Sequence, residues 1–210
     1  MEVQEPTFIS SALQLPGVSI QVICRKENEI WIGSAQGLFR YNMDTELMKH
    51  YMYDPNDNSS LSQNFITDIA ETGEHTMLVA TLKGINLYNA LTDNFERINK
   101  DTGEGEFVQN TLNCDFVNCL LTDGDIIWVG TEVGGLNKMS RRMLFVQNYY
   151  HTPAIPGSLS QNPVNAIYED PSGVLWVGTV EGGLNRRAPG SNTFEHYTTD
   201  AVSYTHLRAH

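Results

Sequence analysis

Val174-Leu-Trp-Val-Gly-Thr179 is one of four versions of the same hexapeptide in this chain. The others are Glu29-Ile-Trp-Ile-Gly-Ser34, Thr76-Met-Leu-Val-Ala-Thr81 and Ile126-Ile-Trp-Val-Gly-Thr131. Their anchors, Trp31, Leu78, Trp128 and Trp176, stand 47, 50 and 48 residues apart. Self-similarity at such a period marks a repeat architecture.

Working outward, each hexapeptide is followed by a glycine and an aliphatic residue: Gly37-Leu38, Gly84-Ile85, Gly135-Leu136 and Gly183-Leu184. Each is preceded by two apolar residues three apart: Ile20 and Ile23, Ile66 and Ile69, Val117 and Leu120, Val164 and Ile167. A fourth strand-like run closes each unit, at 48–53, 95–98, 145–150 and 194–197. The connector Ser60-Leu-Ser-Gln-Asn64 returns as Ser158-Leu-Ser-Gln-Asn162, 98 residues later.

Four short runs with turn signals between them, in roughly 45–50 residues, have the size of a propeller blade. No stripe with helical period is present. The expected fold is all-β, a partial β-propeller of four-stranded antiparallel blades. The expected blades are 20–65, 66–116, 117–163 and 164–200, the last incomplete. Residues 1–19 are expected to end a preceding blade, and 201–210 read as a tail foreign to the repeat. A blade has two apolar faces, so four blades are expected to form an open arc with two uncovered faces. The Trp anchors should fill the space between blades. The Gly after each Trp should admit a neighbouring backbone or allow a bend, and Gly37, Gly84, Gly135 and Gly183 should supply a positive φ for a tight turn.

The chain has 210 residues and a formal charge of −12, from 25 acidic and 13 basic side chains. Such a surface repels phosphate backbones, so nucleic acid is excluded as an expected partner. No apolar run approaches the ~20 residues of a membrane helix, and the N-terminus shows no signal-peptide pattern. Cys24, Cys114 and Cys119 form no CxxC and have no His at ligand spacing; they read as small apolar residues. No metal and no cofactor is expected. No nucleophile elbow and no phosphate loop occurs, so no residue is assigned as catalytic. His50, His75, His151 and His196 fall at strand ends or turns, which points to surface or capping roles.

The pattern Val/Ile-x-x-Ile, Asp-x-x-Gly-x-Leu-Trp-Val-Gly-Thr and Gly-Gly-Leu-Asn resembles the two-component regulator propeller repeat. Repeat four, Val164 to Asn185, carries it best; repeats one and three have a shorter first hairpin. Repeat two departs most, with Leu78 for Trp and Ala80 for Gly. The resemblance implies the periplasmic sensor region of a hybrid histidine kinase, dimeric when complete, anchored in the inner membrane and linked to polysaccharide sensing. Neighbouring blades and an extracellular small ligand or oligosaccharide are the implied partners. Alternatives are a propeller polysaccharide lyase or hydrolase, and a protein–protein scaffold.

Topology tells where a ligand would bind. Turns between the second and third strands share one face with the connections between blades. Gln36, Lys83, Glu132 and Glu181 are therefore candidates, with His151, Asn64, Asn110 and Asn162 beside them. Tyr53 and Tyr150 are added as aromatic platforms. Glu132 and Glu181 occupy matching positions, which fits a turn feature better than an acid–base pair.

Overall fold

The structure, a computed structural model, describes residues 15, 17–99, 112–140 and 146–198. The expected Asn110 and the segments 1–14 and 199–210 lie outside them. Among the described residues there is no helix. Sixteen strands form four antiparallel sheets, each in simple up-and-down order.

The first sheet comprises β1 Ile20–Lys26, β2 Glu29–Ser34, β3 Gly37–Asn42 and β4 Met48–Tyr51. The second comprises β5 Ile66–Gly73, β6 Thr76–Thr81, β7 Gly84–Asn89 and β8 Asn94–Ile98. The third comprises β9 Val117–Asp123, β10 Ile126–Thr131, β11 Leu136–Ser140 and β12 Val146–Tyr149. The fourth comprises β13 Val164–Glu169, β14 Leu175–Thr179, β15 Gly183–Arg187 and β16 Glu195–Tyr197.

Register is the same in each sheet. Gly33 pairs with Leu38, Ala80 with Ile85, Gly130 with Leu136 and Gly178 with Leu184. The hexapeptide is the second strand, and β6 and β10 are buried almost throughout rather than alternately. That pattern follows from cover on both faces. The outermost strands β4 and β16 are mostly exposed.

Each core lies between two sheets, not within one. Trp31, Leu38 and Tyr51 of the first sheet pack against Ile66, Met77, Tyr88 and Phe95 of the second. Leu78, Ala80 and Ile85 meet Val117, Ile127, Val129 and Met139. Trp128, Leu136 and Tyr149 meet Val164, Leu175, Val177 and Phe194. Trp31 and Trp128 are thus fully buried by the following sheet, as expected. Trp176, in the fourth sheet, is only half-buried.

The turn glycines behave as expected, with φ of 118°, 88°, 71° and 73° at Gly37, Gly84, Gly135 and Gly183. The hydroxyl three or four residues back locks each turn: Ser34, Thr81, Thr131 and Thr179 donate to the carbonyls of those four glycines at 2.8–3.2 Å. At the glycine after Trp the ladder is irregular, between Ile20 and Val22 opposite Gly33 and between Gly130 and Thr131, but the expected close backbone approach is corrected. What approaches it is a side chain, not a backbone. A Cβ on Gly33 would sit 2.6 Å from Ile66 Cγ2, and one on Gly130 2.6 Å from Val164 Cγ1. The branched residue that opens the next blade fills that space.

Candidate functional site

Loops β2–β3, β6–β7, β10–β11 and β14–β15 share one end of the sheets with the inter-sheet connections, as up-and-down topology requires. Gln36, Lys83, Glu132 and Glu181 are all exposed there. The structure brings only some candidates together. Lys83 Nζ lies 5.8 Å from the Tyr53 ring centroid, a cation–π contact between the turn of the second sheet and the connection leading to it. No hydrogen bond or ion pair among the described residues joins Glu132 to Glu181. Glu132 accepts from Asn118 Nδ2 at 2.9 Å. Glu181 has a φ of 60°, a left-handed turn conformation.

Other candidates hold the connections in shape. Asn162 Oδ1 accepts from His151 N at 2.6 Å, and Asn64 Oδ1 accepts from Tyr53 N at 2.7 Å. These are the same bond in two copies of one linker. His151 Nδ1 lies 2.7 Å from Leu159 O, so its ring pins the same linker. His50 stacks on Phe39, its Nε2 2.9 Å from Gln36 O, and His196 Nε2 lies 2.6 Å from Ser158 O. Tyr150 is 56% exposed and makes a free aromatic platform. Cys114 and Cys119 are buried and Cys24 half-buried, all as free thiols. Burial pushes the Cys119 thiol up to about 12, the nearby Asp68 adding to it, so it is no nucleophile at neutral pH.

On this face a cleft of about 510 Å³ opens between the second and third sheets. Gln63, Leu82, Lys83, Asn113, Cys114, Asp115, Phe116 and Val133 line it. Pockets for small ligands run to ~300–1,000 Å³. Of its lining, only Lys83 was a candidate from sequence. Gln63, Asn113 and Phe116 were missed, although the connector itself was recognised: Leu112-Asn-Cys-Asp-Phe116 is a third, altered copy of Leu61-Ser-Gln-Asn-Phe65.

A polar cluster stands at the opposite end, between the first two sheets. Tyr51 and Tyr88 hydroxyls donate to Asp93 Oδ1 at 2.6 and 2.7 Å. Lys49 pairs with the other Asp93 oxygen, and Arg40 pairs with Glu29 while donating to Tyr88 at 2.9 Å. Desolvation raises the Asp93 pKa, but the bonds from Lys49, Tyr51 and Tyr88 outweigh it and bring it to about 2. Its members satisfy one another, which makes the cluster a clasp between blades.

Residues 158–181 match the family described as the two component regulator propeller. The fold is shared with the extracellular domain of BT3049 of B. thetaiotaomicron, described as a hybrid two component system. That likeness has a TM-score of 0.69 at 25% identity, over 87% of this chain and 24% of that one. The match to the two component regulator propeller thus falls on the fourth repeat. The extracellular domain of BT4673 from the same organism matches at a TM-score of 0.63 and 23% identity, over 85% of this chain and 24% of that one. This propeller chain thus spans about a quarter of the length of those structures. An ancestral GH74 enzyme shares the fold alone, at 14% identity and a TM-score of 0.63, over 89% of this chain and 25% of that one. No curated protein matches the chain.

Proposed function

We propose that this propeller chain is part of the extracellular or periplasmic sensing region of a two-component receptor, and that it binds an oligosaccharide without altering it. The observation that carries the reading is the likeness to the extracellular domain of a hybrid two component system at 25% identity, with the repeat motif at 158–181. The loop face supports it physically: amides, carboxylates and exposed Tyr53 and Tyr150 stand there on rigid sheets, where loops carry recognition. In the receptor, differential affinity for two arrangements would shift a signalling equilibrium.

The test is calorimetry against a glycan panel, with product analysis of the same mixtures. Binding with unchanged glycan is expected. Turnover of any glycan would favour the hydrolase reading instead. Binding that survives combined alanine substitution of Glu132, Glu181 and His151 would remove those three from the site.

A further inference from the structure

One joint between sheets occurs in two versions, the first sheet against the second and the third against the fourth. Register and repeat spacing pair their residues: Tyr51 corresponds to Tyr149, Lys49 to Gln147, His50 to Asn148 and Met52 to Tyr150. Asp93, two residues before Phe95, corresponds to Asn192, two before Phe194.

The first version is closed by charge. Lys49, Tyr51 and Tyr88 all bond Asp93. His50 is held by Phe39 and by Gln36 O.

The second version lacks that clasp. Lys49, Asp54, Asp57 and Asp93 give way to the neutral Gln147, Thr152, Ile155 and Asn192. Arg187, in the place of Tyr88, is buried over the Trp128 and Tyr149 rings. One bond of the clasp remains, from the Tyr149 hydroxyl to Asn192 Oδ1, and it is long at 3.3 Å.

A cavity of about 200 Å³ opens there, between β12, the connection after it and the turn before β16. It lies on the outer flank, since β12 and β16 are outermost in their sheets. Asn148, Tyr150, Thr152, Ile155, Asn192 and Thr193 line it, and no charged side chain does among the described residues. Tyr150 and Ile155 are 56% and 57% exposed. Asn148, Asn192 and Thr193 are exposed as well. Asn148 and Tyr150 stand two apart at the end of β12, so both side chains leave the side opposite the buried Tyr149. The Asn148 amide and the Tyr150 hydroxyl have no hydrogen-bond partner among the described residues.

We propose that this cavity binds one uncharged sugar ring of an oligosaccharide, an inference that rests on the sensing role above and adds its site and charge class. The ring lies on Tyr150, whose flat apolar face is open. The Asn148 and Asn192 amides meet its hydroxyls, because an amide offers donors and an acceptor side by side. The volume falls below the ~300 Å³ of ordinary ligand pockets, which suits a single ring with the rest of the glycan outside. A sugar acid would give up water there and find no opposite charge.

The test is calorimetry of the full 210-residue chain against the glycan panel, alongside thermal melts. Cellobiose, maltose and galactobiose serve as neutral probes and digalacturonate as the acidic one. A neutral glycan is expected to bind. Tyr150→Ala is expected to weaken that binding about tenfold and to leave the melting temperature unchanged, since the ring is exposed. Gln147→Lys combined with Asn192→Asp rebuilds the clasp of the first joint. That pair is expected to hold or raise the melting temperature while weakening binding by about tenfold or more. Neutral-glycan binding that survives either variant, or binding of acidic glycans alone, overturns the proposal and leaves the sensing role standing. Where no glycan binds at all, both fall.

Discussion

At the scale of single residues, the three indole nitrogens record what one turn residue does. Trp176 Nε1 donates to Asp170 Oδ2 at 3.2 Å, whereas Trp31 Nε1 and Trp128 Nε1 are buried without a partner among the described residues. The difference lies in the first hairpin. In the fourth sheet it runs through Asp170-Pro-Ser-Gly173, and Asp170 Oδ1 accepts from Ser172 N and Val174 N at 2.9 and 3.1 Å, freeing Oδ2 for the indole. The shorter hairpins carry Glu27 and Glu29 in the first sheet and Asp123 and Asp125 in the third, and none of these bonds the indole. The Ser172 hydroxyl, then Trp176 and the backbone N–H groups, hold the Asp170 pKa at about 2, below its usual 3.8. A carboxylate with a depressed folded pKa contributes stability above its unfolded pKa and loses it as pH falls through the folded one. Asp170→Ala is therefore expected to melt lower than the parent at neutral pH. Thermal melts on acidification from about pH 4 to about pH 2 should show that gap closing. A gap that stays constant across the window would mean the charge is not what stabilises the turn.

At the scale of elements, residues on facing strands change in concert. Each of Trp31 and Trp128 meets a tyrosine of the fourth strand, Trp31 stacked on Tyr51 at 6.3 Å and Trp128 tilted against Tyr149 at 6.1 Å between ring centroids. Each also lies under a cation of the third strand, Arg40 and Lys138, both at 5.4 Å. The next sheet then presents Tyr88 edge-on to Trp31, and Arg187 over Trp128. In the second sheet Leu78 is opposite Leu87, with Ile98 where the tyrosine would be and Met139 arriving from the third sheet. The loss of Trp is compensated by aliphatic neighbours, and Leu78 is 1% exposed. Trp128→Ala is expected to cost about 3–5 kcal/mol by leaving a cavity between sheets, measured by urea denaturation. Leu78→Trp, although it restores the repeat consensus, is expected to cost about 1–3 kcal/mol by overpacking. A neutral or stabilising Leu78→Trp would show that this interface has slack.

At the scale of the whole molecule, the two end sheets differ from the inner ones. Leu136 and Tyr149 of the third sheet are 0% and 8% exposed; their counterparts Leu184 and Tyr197 in the fourth are 40% and 49% exposed. Tyr168 beside them is 58% exposed, and at the other end Ile20 and Ile23 are 46% and 63% exposed. Contiguous apolar surface of this kind associates in water. The chain is expected to self-associate at micromolar concentration in sedimentation velocity, and Tyr168→Lys with Leu184→Lys to shift it toward monomer. A parent chain that sediments as a monomer would contradict this.

Strand order, the four-sheet architecture and the turn glycines were legible in the sequence because they depend on residues close together along the chain. Trp31, its Gly33 and the turn at Gly37 lie within one hairpin, and repetition of such hairpins names the fold. The sites that depend on neighbouring sheets were not legible in that way. Trp128 and Trp176 sit in nearly identical hexapeptides, yet one is sealed and the other half-open, because burial is set by the sheet stacked against it. Asn113 drew no reading from the sequence; only its distance from Asn137 and Gly134 reveals an acceptor left without a donor. Local sequence determines backbone conformation and pairing, through sterics and turn chemistry. Which polar atoms are satisfied, and which faces are covered, is decided by contacts between residues about 50 positions apart, and those exist only once the sheets have packed.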